Sequence, residues 1–195
     1  MFTDAVAAIA LTLLILPLLE VISDARAQRL PFAELMDDHL GEFGAFVLSF
    51  AVIFRFWWSH HRLFGHISLL HRSVVRWSFV WTFAIVLLPI PTSIITAYAP
   101  SPGTVGLYGG TLVLATGSIA MLARSAYRHP ELAGGKPPAT RDEVLGSTTI
   151  LIAQVLATIV GCVFPERINF WAFTLMFLVG PAERLVRARW AASEL

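Results

Sequence analysis

The chain has 195 residues, of which 56% are hydrophobic and only 14% charged, with a mean hydropathy of +0.71. A soluble domain carries about 25% charged residues, so one soluble core of this size cannot hide the apolar surplus, and composition leaves a multi-span membrane protein. The net charge of +1 gives no basis for a nucleic-acid partner, and the single cysteine, Cys162, permits no internal disulfide.

Six stretches are long and apolar enough to cross a bilayer as helices, which takes about 20 residues each. They run roughly over 4–22, 41–59, 75–98, 104–127, 145–163 and 168–185. The chain is therefore expected to be all-α: one polytopic domain over 1–195, with no internal repeat and no separate soluble part. The first stretch is short, and Pro17 bends or weakens its end. A signal peptide is disfavoured there, because no Lys or Arg precedes the apolar run and Asp4 sits at its head. Residues 23–40 read as a soft amphipathic connector containing Pro31. The third stretch holds Pro89 and Pro91, which predicts a kink with 92–96 only partly helical. Residues 128–144 are rich in Pro and Gly and read as a water-exposed loop.

Basic residues orient the spans. With the N-terminus inside, Arg62, Arg72, Arg76, Arg124, Arg128, Lys136, Arg141, Arg184, Arg187 and Arg189 fall on inner segments, against Arg26, Arg29 and Arg167 on outer ones. This positive-inside bias predicts a multi-pass protein of the cell membrane with both termini cytoplasmic, which needs an even number of spans.

On a helical wheel of the first span, Phe2, Ala5, Ile9, Thr12, Leu13 and Leu16 share an arc of about 100°. Asp4 lies about 140° from Ile9 by the same arithmetic. The carboxylate has two readings. It is an N-cap at a favourable dipole end, or an intramembrane carboxylate that faces the bundle and finds a partner. The second span ends in FRFWWSHHRLFGHI. Trp57 and Trp58 suit a membrane interface. His60 and His61 are adjacent, and His61 and His66 are five apart, which is poor spacing for ligands on one helix face. The expectation is no metal site and no cofactor, with one histidine in a buried polar network and the other among headgroups.

These residues carry a resemblance. Phe2-Thr3-Asp4, followed by the alanine-rich run to Thr12, resembles the first helix of the transmembrane protein 175 family, the endolysosomal potassium channels and their bacterial relatives, with the signature Arg-x-x-x-Phe-Ser-Asp. Ser49-Phe50 with Trp58-Ser59-His60-His61-Arg62-Leu63-Phe64 is similar to its Ser-Phe…Trp-x-x-His-x-x-x-Phe pattern, and Leu88-Pro89-Ile90-Pro91-Thr92 resembles its Leu-Pro-Phe-x-Thr. The likeness extends to all six spans in layout and to three in motif. It implies a potassium-permeable cation channel: a homotetramer in the lipid bilayer with six helices per subunit, K+ as the permeant ion, and the first helix of each subunit lining the pore. It carries the constriction to Ile9, the selectivity threonine to Thr12 and further apolar pore positions to Leu13 and Leu16. Phe2, Thr3 and Asp4 become the motif that shapes the pore helix, supported by Trp58, His60, His61 and Ser78. The departures are Thr3 for serine, Ser78 where the family often has asparagine, Ile90 for phenylalanine, and a signature arginine that would fall ahead of Met1.

No Thr-Val-Gly-Tyr-Gly stretch is present, so a pore of this kind lacks a carbonyl ladder and closes instead by dewetting at an aliphatic ring. Glu20, Asp37 and Asp38 lie toward the outer side, where they either concentrate cations or are solvated loop charges. A secondary transporter wants paired half-sequences with broken helices and midplane polar groups; Pro17 and Pro89 supply breaks, but no repeat accompanies them. An enzyme wants a nucleophile with its acid and base, and no nucleophile accompanies Asp4 and the histidines. A transporter and a structural membrane subunit stay open as alternatives.

Overall fold

The structure, a computed structural model, describes residues 2–168, with side chains to Glu166. All regular structure among them is helical: α1 (Phe2–Leu13), α2 (Leu16–Gln28), α3 (Phe32–Phe64), α4 (Arg72–Leu87), α5 (Pro89–Ala97), α6 (Pro102–Arg128), a 3-10 turn (Pro130–Ala133), α7 (Arg141–Val163) and α8 (Pro165–Ile168). Five helical units among the described residues are long and apolar enough to cross a membrane: Phe2–Gln28, Phe32–Phe64, Arg72–Ala97, Pro102–Arg128 and Arg141–Val163. The sixth expected span, 168–185, falls beyond Ile168 outside the described residues.

Proline chemistry explains both interruptions. Pro17 has no N–H for the Leu13 carbonyl and its ring crowds that group. The Ile15 amide instead bonds Thr12 O at 3.3 Å, and the ladder resumes with Leu19 N to Ile15 O at 3.1 Å. At the α4–α5 junction Pro89 and Pro91 remove two donors, while Leu88 keeps helical angles (φ −54°, ψ −38°). Thr92 Oγ1 donates to Leu88 O at 2.8 Å and Ser93 Oγ to Pro89 O at 3.0 Å, so hydroxyls serve the carbonyls there. The segment expected to be partly helical over 92–96 is accordingly helical through Ala97.

Residues 23–40 are not a connector between spans. The first unit continues to Gln28, Arg29 closes it in the left-handed region (φ 57°), and α3 begins at Phe32 behind Pro31. The connection narrows to residues 29–31, and α3 carries one non-helical residue, His39 (φ −119°, ψ 18°). At 1.5 Å per residue, the 33 residues of α3 reach about 50 Å, well beyond a hydrocarbon core of about 30 Å. Its polar first turns therefore stand outside the apolar slab. Capping boxes start α6 (Ser101 with Thr104, Pro102 at the first turn) and α7 (Thr140 with Glu143).

Helix α6 is the hub. It packs against α7 and α4 most extensively, and also against α5 and α3. The main core joins Ile53, Trp81, Ile85, Leu88, Tyr108 and Leu112, all fully buried. α6 and α7 touch where side chains are smallest. A Cβ on Gly161 would stand 2.9 Å from Val105 Cγ1, and one on Gly106 would stand 3.4 Å from Cys162 Sγ. A second core cluster holds Leu63, Ile67, Val74, Leu122 and Leu132. It lies at the end of the bundle, called here the inner end, where the head of α1 meets the 65–71 and 129–140 connections. These two connections are tied together, because Ser68 N and Leu69 N both donate to Leu132 O, at 2.8 and 3.0 Å. Gly134 sits at φ 53°, and a Cβ on it would stand 2.9 Å from Ser68 Cβ, a position that needs glycine twice over. The 128–144 stretch is mostly exposed, as expected, but it is anchored through the buried Leu132, Ala133 and Ala139.

The first helix and its supporting network

α1 lies against α3 and α4. Ala7 (1% exposed), Ala10 (2%) and Leu14 face that core, and the two alanines let the helix backbones approach. The opposite side is uncovered among the described residues: Ile9 is 58% exposed, Leu13 41% and Leu16 50%, with Ala5 and Thr12 also exposed. The face read from the wheel is thus the face the subunit leaves open. It survives the Pro17 interruption, since Leu16 stays open although it begins α2. Thr12 Oγ1 donates to Ile9 O at 2.7 Å. Its proton is committed to backbone, and its oxygen keeps its lone pairs for anything beyond the helix.

Asp4 sits in the first turn of α1, where the dipole favours an anion. It also reaches another helix. Trp57 Nε1 donates to Asp4 Oδ1 at 2.9 Å, and His61 Nδ1 lies 3.8 Å from the same oxygen. Trp57 and His61, one turn apart on α3, stack with centroids 5.3 Å apart. Of the two readings of Asp4, the structure has the interhelical one. The indole involved is Trp57, not Trp58. Trp58 is half-exposed and takes part only by ring contact, with Trp57 and His61. His61 lies within one turn of both tryptophans, so spacing alone does not distinguish them.

The two histidines divide as their burial dictates. His60 is 2% exposed and lies between Trp81 (4.0 Å) and Phe64 (4.5 Å), while His61 is exposed beside Asp4. Among the described residues His60 Nε2 and Ser78 Oγ are buried with no hydrogen-bond partner, so Ser78 does not extend the Asp4 bond. Phe2, Thr3, Asp4, His60, His61 and Ser78 nevertheless line one cleft of about 650 Å³ at the inner end. Farther along, the Thr92 and Ser49 hydroxyl oxygens lie 3.0 Å apart, and since the Thr92 proton goes to Leu88 O, Thr92 Oγ1 is free to accept from Ser49, which brings the Ser-Phe and Leu-Pro-x-Pro-Thr motifs into contact. Among the described residues no group of three His, Cys, Asp or Glu side chains stands together to hold a metal.

Residues 1–89 match the sequence model of the family described as endosomal/lysosomal potassium channel TMEM175. Potassium channel Cha6605_3372 of Chamaesiphon minutus is 28% identical over 101 residues, 52% of this chain. The match spans about half (49%) of that relative's length. A crystal structure of the potassium channel MtTMEM175, a variant in complex with a nanobody-MBP fusion protein, superposes over 98% of this chain and 91% of its own, with a TM-score of 0.52 at 17% identity. That likeness establishes the fold. The family and both relatives are ion channels, not enzymes. The first 89 residues thus carry the TMEM175 sequence pattern, and the described helices share the fold of MtTMEM175.

Proposed function

We propose that this chain is the subunit of a potassium-permeable cation channel: a single six-helix transmembrane domain that assembles as a homotetramer around its first helix. The observation that carries the reading is the open face of α1. A subunit that buries Ala7, Ala10 and Leu14 and leaves Ile9, Thr12, Leu13 and Leu16 uncovered presents a column of branched aliphatics with one hydroxyl to whatever lies beyond. Around a fourfold axis, Ile9 forms the hydrophobic constriction, a ring that excludes water when narrow and passes hydrated ions when helix rotation widens it. Thr12 adds a layer of hydroxyl oxygens whose protons are already held by Ile9 carbonyls, so lone pairs are what a cation meets. The Asp4–Trp57 bond holds the foot of this helix to α3. The relatives' names supply the ion, since both are potassium channels. The arginines at the inner ends of α4 and α6 support a cytoplasmic inner end in the cell membrane.

The test is reconstitution into planar bilayers under bi-ionic conditions. The expected result is a current whose reversal potential follows the potassium gradient without a coupled substrate. Ile9→Asn should raise conductance and make the closed state leak, because four hydrated side chains replace four desolvating ones. Thr12→Ala should leave current but shift the reversal potential toward equal treatment of potassium and sodium. A current that requires a co-substrate would favour a transporter. Unchanged conductance and unchanged reversal potential in the two variants would remove this face of α1 from the conduction path.

A further inference from the structure

At the inner end one histidine bonds three separate segments. His66 follows α3 in the 65–71 connection, and its side chain is partly buried, 22% exposed. Its Nδ1 lies 2.9 Å from the carbonyl oxygen of Pro137, in the 129–140 connection, and its Nε2 lies 2.8 Å from Glu143 Oε1, in the first turn of α7. A carbonyl only accepts, so Nδ1 must carry a hydrogen. In a neutral ring Nε2 is then a bare lone pair, facing a carboxylate at hydrogen-bond distance. Both contacts coexist only when one further proton sits between Nε2 and Oε1, whichever atom carries it.

The surrounding charges do not supply an alternative. From the 129–140 connection Lys136 bonds the neighbouring Ile67 carbonyl at 3.3 Å, and from α7 the other oxygen of Glu143 accepts from Thr140 N at 2.9 Å in the capping box. Arg62 and Arg141 are the other basic residues near in sequence, and neither makes an ion pair with Glu143 among the described residues. The second histidine pair at this end is different in kind. His71 and His129 stack 4.8 Å apart, and His129 meets the exposed Glu131 at 2.9 Å. The Glu131 carboxyl is held below its ordinary value first by its own backbone N–H and then by His129. The His129–Glu131 contact joins neighbours in sequence, whereas His66 reaches from the 65–71 connection to the start of α7.

We propose that His66 is a proton-operated latch on the inner face, tying the α3–α4 connection to the 129–140 connection and to the start of α7. The latched state binds one proton more than the released state, so it is favoured as pH falls and lost as pH rises. In the released state Nδ1 keeps Pro137 and the Glu143 arm lets go. The latch shares walls with the cleft beside α1, since Gly65, Leu70 and Lys136 line that cleft together with Asp4. Its state therefore bears on how firmly the α3–α4 hairpin grips the first helix. This inference is independent of the ion the protein conducts.

Hydrogen exchange of the full chain in lipid nanodiscs tests it, read on peptides that contain the Glu143 and Val144 amides. Those amides donate to Thr140 Oγ1 and Thr140 O and report whether the start of α7 stays fastened. Glu143→Gln keeps an oxygen for the capping box and offers an amide N–H to the bare Nε2, so it closes the latch without the extra proton. Comparing variant with wild type at one pH cancels the intrinsic pH dependence of exchange. The expected result is exchange equal to wild type at about pH 6 and several-fold slower than wild type at about pH 8. His66→Phe, which removes both bonds, carries the test if Glu143→Gln fails to fold, and should exceed wild-type exchange by a larger factor at about pH 6 than at about pH 8. A variant-to-wild-type ratio that is the same at both pH values, or that changes in the opposite sense, overturns the proposal.

Discussion

Asp4 and Trp57 join two helices through one bond, and what each contributes depends on which partner is left behind. Removing the acceptor with Asp4→Ala strands an indole N–H in apolar surroundings, at a cost of about 1–3 kcal/mol for a buried donor. Asp4 is partly exposed, which places the cost toward the low end of that range. Asp4→Asn keeps an oxygen for the indole and should lose less. Trp57→Phe removes the donor and leaves a solvated carboxylate, so it should resemble Asp4→Asn in stability rather than Asp4→Ala. Thermal unfolding in detergent ranks the three. An Asp4→Ala melting temperature equal to wild type would show that the bond does not hold α1 in place. Trp58→Phe is the control, expected to be near neutral, because Trp58 donates no hydrogen bond to Asp4 and is half-exposed.

Between elements, the tightest constraint is the α6–α7 contact. Without a hydrophobic driving force between helices in lipid, close backbone approach through small residues is what holds them. Val105 is fully buried and has nowhere to retreat, so a methyl group at Gly161, 2.9 Å from its Cγ1, must push the helices apart. Gly161→Ala should destabilise by about 1–3 kcal/mol, the usual cost of overpacking. Gly106→Ala meets only the Cys162 sulfur, at 3.4 Å, and a polarizable thiol yields more easily. The measured order of stability should therefore be wild type, then Gly106→Ala, then Gly161→Ala. The reverse order would mean that α7 sits differently on α6. The α2–α3 region teaches a related lesson. Charged residues such as Asp24, Arg26, Asp37 and Asp38 made 23–40 look like a connector, yet they lie on helical turns that continue beyond the bilayer. Hydropathy locates the apolar slab and not the helix ends.

For the whole molecule, one lining helix cannot enclose a path, and closed cyclic symmetry is the usual way for identical chains to surround an axis. The uncovered aliphatic face of α1, continuing into Leu19 and Ile22 of α2, is the surface such an axis would bury. Native mass measurement in mild detergent should return four copies of the 21.4 kDa chain. A species no larger than a dimer would leave the α1 face to lipid and sink the pore assignment.

Much of this protein was written in local pattern. The apolar runs that become its five described membrane-length helices, the proline interruptions near 17 and 89, and the split of the first helix into an alanine face and an Ile9–Thr12–Leu13–Leu16 face follow from composition, missing N–H donors and a 3.6-residue period. Those are properties of neighbours along the chain, so the chain alone reveals them. The tertiary structure decided what depends on where helices cross. It chose Trp57 over Trp58 for Asp4 because adjacent residues point about 100° apart on a helix and only one can face α1. It buried His60 against Trp81 and left His61 beside the carboxylate for the same reason. It also brought His66, Pro137 and Glu143 to one point. No spacing rule connects those three, since the distance between them in space is set by the packing of α3, α6 and α7 and not by the residues that separate them in sequence.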